Sequence, residues 1–324
     1  MDKGMSVITG RIVAACLTLG LIALIAALPA CSDEPNQVET VVSEVNTLDR
    51  PEIVEVLFHP TKTGRVPAPE GAVDIDVTVA EDVSLGCRLF TSSPAAPTLI
   101  FFHGNGETVP DYDDIGPFYV REGMNFLVTD YRGYGWSTGR PLTSTLLADS
   151  RAAFLQLKDW LAANGYTGAL FVMGRSLGSA CAIEVAVEHS EAVTGLIIES
   201  GFAETLPLGR TLGIDLERLG ITEEMTFANA AKIERFTKPT YILHGQRDQL
   251  IPLWQAETLA ARSGAKNREF QVVPGADHNT LIAVAGRLYF QAISGFVQKA
   301  AGIAPDWRER RRQFKAQQAG QSGS

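Results

Sequence analysis

Ser176 stands between two glycines in the stretch Phe171-Val172-Met173-Gly174-Arg175-Ser176-Leu177-Gly178-Ser179-Ala180. An apolar run, Ala169 to Met173, reads as a buried strand, and a small-residue helical pattern follows from Leu177 to about Glu188. G-x-S-x-G between a strand and a helix lifts a hydroxyl out of a tight turn, ready to attack a carbonyl. Side chains at Gly174 and Gly178 would collide with the crossing strand or helix. A serine hydroxyl is a weak nucleophile at neutral pH and needs a base, which in turn needs an acid to orient it. Of the five histidines, His278 follows the last predicted strand, in a loop able to reach over Ser176. His103 and His244 each precede a glycine at a strand end and are expected to pack inside loops. His189, near a helix end, is expected at the surface, and His59, before Pro60, to be structural. Asp248, after the penultimate strand, is the expected acid; Glu199, at the preceding strand end, competes with it, and Asp277 adjoins the base too closely. The oxyanion formed by attack needs two backbone N–H donors. They are expected from Leu177 and from Asn105 or Gly106 in the loop after His103-Gly104.

These residues can meet only if several elements bring them to one edge. Val73 to Val79 alternates and Val83 to Phe90 returns, which predicts a hairpin. The apolar runs at Thr98–Phe102 and Gly195–Glu199 predict buried strands, and Phe126–Thr129, Pro239–Leu243 and Glu269–Val273 read as further strands. Helical patterns fall between them at Asp113–Glu122, Thr143–Ala163, Pro252–Ser263 and Leu288–Ala300. An apolar patch at Ile53–Phe58, in a proline-interrupted stretch, predicts an edge strand. The alternation predicts an α/β fold: a mostly parallel central sheet with helices on both faces. Such sheets bind ligands at the carboxyl ends of their strands, where every motif above lies. Residues 200–238 exceed a simple crossover and are expected to form a small cap, with Phe202, Leu206 and Leu208 able to line an acyl pocket or to pack its core.

A formal net charge of −9 argues against a nucleic-acid-binding surface. Lys3 and Arg11 precede an apolar run, Ile12 to Leu28, of about 17 residues, which predicts an export signal. Leu28-Pro29-Ala30-Cys31-Ser32 resembles a bacterial lipobox, which implies cleavage before Cys31 and a lipid anchor on its thiol. The resemblance implies a membrane-anchored lipoprotein on the extracytoplasmic or periplasmic side, at the outer membrane where there is one. A plain membrane anchor and a secreted product cut nearby are the alternatives. The expected organisation is a signal over 1–31, a tether over 32–50, a catalytic domain over 51–302 and a basic, disordered tail over 303–324. Cys87 and Cys181 read as small buried residues.

The motifs His103-Gly104-Asn105-Gly106, Asp130-Tyr131-Arg132-Gly133-Tyr134-Gly135, Gly174-Arg175-Ser176-Leu177-Gly178, His244-Gly245-Gln246-Arg247-Asp248 and Gly275-Ala276-Asp277-His278-Asn279 together resemble those of the α/β-hydrolase superfamily. Within it the chain is most similar to the Bem46/ABHD13/ABHD17-like group. The order Ser176, Asp248, His278 is the superfamily order. The resemblance implies a serine hydrolase acting on a carboxylic ester or thioester, with no metal and no cofactor, and it assigns Asp130 and Arg132 to loop scaffolding. A peptidase or amidase with the same three residues, or an inert lipoprotein scaffold, are the competing readings. A haloalkane dehalogenase is disfavoured because it needs a carboxylate where Ser176 stands.

Overall fold

The computed structural model describes residues 47–304. The signal segment with Cys31, most of the tether and the tail from residue 305 lie outside the described residues. Eight strands form one sheet in the order β1-β2-β4-β3-β5-β6-β7-β8. They are β1 (Ala72–Ala80), β2 (Val83–Phe90), β3 (Thr98–Phe102), β4 (Asn125–Thr129), β5 (Leu170–Arg175), β6 (Gly195–Glu199), β7 (Thr240–Gly245) and β8 (Arg268–Val273). β2 runs antiparallel to β1 and β4, and all pairings from β4 through β3 to β8 are parallel.

The helices are α1 (Pro51–Leu57), α2 (Gly116–Arg121), α3 (Thr143–Ala163), α4 (Gly178–Glu188), α5 (Thr205–Thr211), α6 (Asn229–Ile233), α7 (Leu253–Arg262), α8 (Leu281–Ala285) and α9 (Arg287–Ala300). Because strand side chains alternate, each central strand feeds two cores. Ile100, Phe102, Val172, Leu196 and Ile198 join α3, α4 and α7 on one face. Leu99, Phe101, Phe171, Met173 and Ile197 join α2 and α9 on the other. On α3, Leu146, Ala153, Phe154, Leu157 and Leu161 are buried at helical spacing. Each such large apolar side chain contributes roughly 1.5–3 kcal/mol on burial, enough to dock a helix whose outer face is polar.

Four expectations are corrected. Ile53–Phe58 is not an edge strand: Pro51 starts a helix there, and Ile53 and Leu57, one turn apart, are the buried pair. The helix expected over Asp113–Glu122 is shortened to α2, and a 3-10 turn at Val109–Tyr112, opened by a Thr108–Asp111 capping box, precedes it. The folded domain begins before residue 51, since Thr47–Asp49 forms a turn with Leu48 buried and Thr143 Oγ1 donating to the Leu48 carbonyl (3.2 Å). His189 is half-buried rather than on the surface, its ring stacked on Phe154 at 5.3 Å. Cys87 and Cys181 are buried free thiols, and burial pushes the pKa of both upward. Among the described residues no helix is long and apolar enough to cross a membrane.

Candidate active site

The site is assembled at the carboxyl ends of β3, β5, β6, β7 and β8. Ser176 occupies the turn between β5 and α4 with φ of 52°, a left-handed conformation that a serine adopts only when its surroundings impose it. The imposition is visible on both sides. A Cβ on Gly174 would lie 2.2 Å from the Gly178 carbonyl oxygen, and one on Gly178 would lie 2.0 Å from the Phe102 carbonyl oxygen. The Ser176 N–H donates to the Glu199 carbonyl (3.0 Å), and Ser179 Oγ donates to the Ser176 carbonyl (2.6 Å).

The His278 ring lies with Nε2 2.9 Å from Ser176 Oγ and Nδ1 2.8 Å from Asp248 Oδ2. All three side chains are more than nine-tenths buried. Asp248 Oδ1 accepts the N–H groups of Leu250 (3.0 Å) and Ile251 (2.8 Å), which leaves Oδ2 for the imidazole. His244 Nε2 contacts the Ile251 carbonyl oxygen (2.7 Å) and lies 3.3 Å from Asp248 Oδ2. Burial lowers its pKa more than the Ile251 carbonyl and Asp248 raise it, so it holds the Asp248 turn as a neutral ring with Nε2 donating.

Glu199, the competing acid, faces elsewhere: it accepts from Tyr289 Oη at 2.5 Å and lies 3.4 Å from Arg175 Nε. The Asp277 carboxylate serves its own loop, accepting the Asn279 N–H (3.0 Å) and Thr280 Oγ1–H (2.8 Å). The backbone N–H groups of Leu177, Asn105 and Gly106 make no hydrogen bond to any described residue. The Asn105 side chain is locked: Oδ1 accepts from His59 N–H (2.9 Å) and Tyr134 Oη (2.6 Å), and Nδ2 donates to the Leu57 carbonyl (3.0 Å). His59 contributes through this backbone N–H, while its ring is exposed.

Sequence reasoning passed over Arg175 and Glu107. The Arg175 side chain is largely buried and reaches three elements. Nη1 pairs with Glu107, Nε faces Glu199, and Nη2 donates to the His278 carbonyl (3.0 Å) and Asn279 Oδ1 (2.8 Å). Glu107 also accepts the Gly104 N–H (2.7 Å) and Tyr112 Oη–H (2.6 Å). One cation thus ties the loop carrying Asn105 to the loop carrying His278. Burial opposes that charge, but Glu107 and Glu199 outweigh it and hold the Arg175 pKa above its ordinary value. Burial also works against the Glu107 carboxylate; Arg175 and the Tyr112 hydroxyl reverse it, so that pKa is lowered. For Glu199 burial wins and its pKa is raised. The available signal was a charged residue inside G-x-S-x-G, where the next elements leave little room for one.

His103 Nδ1 lies 2.8 Å from the Gly104 carbonyl oxygen and Nε2 3.1 Å from Asp130 Oδ1. Burial alone would lower its pKa; the hydrogen bond and charge of Asp130, with Glu107 and the Gly104 carbonyl, raise it. A ring facing two acceptors is satisfied only as an imidazolium. Its contribution to stability is therefore complete below the ordinary histidine pKa of 6.5 and is lost as pH rises through the higher folded value. Melting wild type and His103→Gln from about pH 5 to about pH 9 should show a difference in Tm that is largest at the acid end and shrinks upward. Asp130 Oδ1 also accepts the Val109 N–H (2.9 Å), and Arg132 pairs with Asp149 (2.5 Å), both scaffolding contacts.

Phe202 has no exposed surface and Leu208 very little. They are buried with Leu216, Ile221 and Phe227 in an extension of the main core, while Leu206 is half-buried against it. Residues 200–238 are thus held to the domain by its own apolar interior.

The strand order and the serine-bearing turn are those of the α/β-hydrolase fold. A family profile described as serine aminopeptidase, S33 (Hydrolase_4) matches residues 93–209, which include Ser176 but end before Asp248 and His278. The chain is similar to the bem46 protein of Schizosaccharomyces pombe, with 28% identity over 231 residues covering 69% of this chain and 75% of the relative. It is similar to human alpha/beta hydrolase domain-containing protein 17B, with 29% identity over 223 residues covering 66% and 71%. The fold is like that of the Pyrococcus furiosus esterase Pf2001, with a TM-score of 0.62 at 19% identity over 74% of this chain and 98% of that one. The chain has the α/β-hydrolase fold and is similar in sequence to the Bem46/ABHD-type proteins.

Proposed function

We propose that this protein is a serine hydrolase that cleaves a carboxylic ester or thioester through an acyl-enzyme. The carrying observation is the continuous hydrogen-bonded line Ser176 Oγ, His278 Nε2, His278 Nδ1, Asp248 Oδ2, at 2.9 and 2.8 Å. In this reading His278 takes the Ser176 proton as Oγ bonds to the acyl carbon. The negative charge on the carbonyl oxygen falls to the N–H groups of Leu177 and of Asn105 or Gly106. As the bond to the leaving oxygen or sulfur breaks, His278 returns the proton to it. Water then attacks the acyl-enzyme with His278 again as base, and the carboxylic acid leaves. Asp248 holds the ring in the productive orientation and stabilises its charged form without itself taking the proton.

The esterase description of the fold relative favours an ester; the aminopeptidase description of the family profile favours an amide. Matched p-nitrophenyl ester and p-nitroanilide substrates with one acyl group separate the two, and ester turnover well above anilide turnover is expected. Labelling of Ser176 by a fluorophosphonate tests the mechanism itself; an unlabelled Ser176 in folded protein rejects it. We further propose that the N-terminal apolar run and Cys31 tether the enzyme to a membrane on the exported side, as the lipobox-like sequence suggests. Metabolic labelling with a fatty-acid analogue, lost in Cys31→Ser, is the expected result.

A further inference from the structure

In acyl transfer the group that protonates the departing atom marks the side on which the leaving group sits. Given the mechanism proposed above, that side is the His278 side. A depression of about 400 Å³ opens there, lined by His278, Arg247, Gln249, Leu250, Asp277 and Asn279 among others. Only Leu250 among these has an aliphatic side chain. Neither Phe202 nor Leu208 is among its lining residues. An aliphatic alcohol or thiol would therefore exchange water for a polar wall, with little gain.

The charges in this depression are not equivalent. The Asp277 carboxylate is engaged by the Asn279 N–H (3.0 Å) and Thr280 Oγ1 (2.8 Å), and those hydrogen bonds, the backbone one foremost, lower its pKa. Asn279 Oδ1 is engaged by Arg175 (2.8 Å). Arg247 differs. Its backbone is anchored by donation to the Ala276 carbonyl (2.8 Å), but its side chain is exposed and its guanidinium has no partner among the described residues. Arg247 and Asp277 share the depression yet form no ion pair with each other. The free charge in the depression is thus a planar cation, immediately before Asp248 in the chain, of the kind that binds carboxylate or phosphate in bidentate fashion.

We propose that this depression is the leaving-group subsite and that Arg247 selects alcohols or thiols carrying an anionic group, a carboxylate or a phosphate. The inference rests on the serine-hydrolase reading. The reaction itself is unchanged: the Ser176 Oγ–acyl bond forms, the bond to the leaving oxygen or sulfur breaks, and the proton from Ser176 leaves with the anionic alcohol or thiol.

The test uses full-length protein in mild detergent and three butyrate esters, of glycolic acid, of ethylene glycol and of hexanol, followed by acid release. Comparing Arg247→Gln with wild type cancels the intrinsic reactivity of each ester. The variant should lose about tenfold in kcat/KM for the glycolate ester and stay within about twofold for the two neutral esters. Arg247→Lys should recover part of the loss, and raising the salt should weaken the wild-type preference. Equal losses on all three esters, or no loss on the glycolate ester, would overturn the proposal. Fluorophosphonate titration of Ser176 in each preparation keeps the two levels apart. Full labelling without charge selectivity rejects the subsite alone, whereas no labelling of wild type rejects the catalytic reading and the subsite with it.

Discussion

Ser176→Ala should lose at least roughly 10³-fold in the rate of ester hydrolysis while melting within a few degrees of wild type. The rate falls because the attacking atom is gone, and neither His278 nor the free N–H groups can form the acyl-enzyme without it. What remains is the background that bound water and the oxyanion donors can support. Stability should change little: among the described residues the Ser176 hydroxyl hydrogen-bonds only to His278, while the turn is held by contacts of the Ser176 backbone to Glu199 and Ser179 that alanine keeps. Steady-state kinetics on a p-nitrophenyl ester beside a thermal melt give both numbers. A variant that keeps most of the activity would mean that the hydrogen-bonded line is not the reacting one.

Arg175→Met should lower stability by about 3–5 kcal/mol, the usual cost of removing one partner of a buried ion pair. Glu107 would lose its cation while still holding the Gly104 N–H and the Tyr112 hydroxyl, and the His278 carbonyl would lose a donor. The pH dependence follows from the sign of the Glu107 shift. In wild type its lowered pKa adds stability that is present above the ordinary glutamate value of 4.5 and is lost as pH falls through the folded value. The variant lacks that contribution, so its deficit against wild type should be largest near neutrality and shrink in acid. Arg175→Lys should recover part of the stability, since one ammonium supplies charge but not the fork that serves Glu107, Glu199 and the His278 loop together. Urea denaturation at several pH values measures the deficit; a deficit independent of pH would mean that Arg175 acts by packing alone.

Much of the site was legible in residue order because its parts are local. Gly174-Arg175-Ser176-Leu177-Gly178 carries its own steric rule, and apolar runs ending in His103, Glu199, His244 and Val273 mark strands whose carboxyl ends must share an edge once the sheet is parallel. The short apolar patch at Ile53 has no decisive period in sequence; Pro51 and burial of one helix face against the domain make it α1. Residue order favours Asp248 over Glu199, and the tertiary structure decides between them. Glu199 ends β6 and Asp248 lies in the loop just after neighbouring β7, so the choice depends on which carboxylate faces the ring and which is turned toward Tyr289 and Arg175. The fate of Phe202 and Leu208 was likewise decided by packing, since an apolar side chain has the same sequence signature in a pocket and in a core. Local chain order determined where the reactive groups stand along the strands; long-range burial, which selects one charge pairing among several of similar spacing, determined which of them touch.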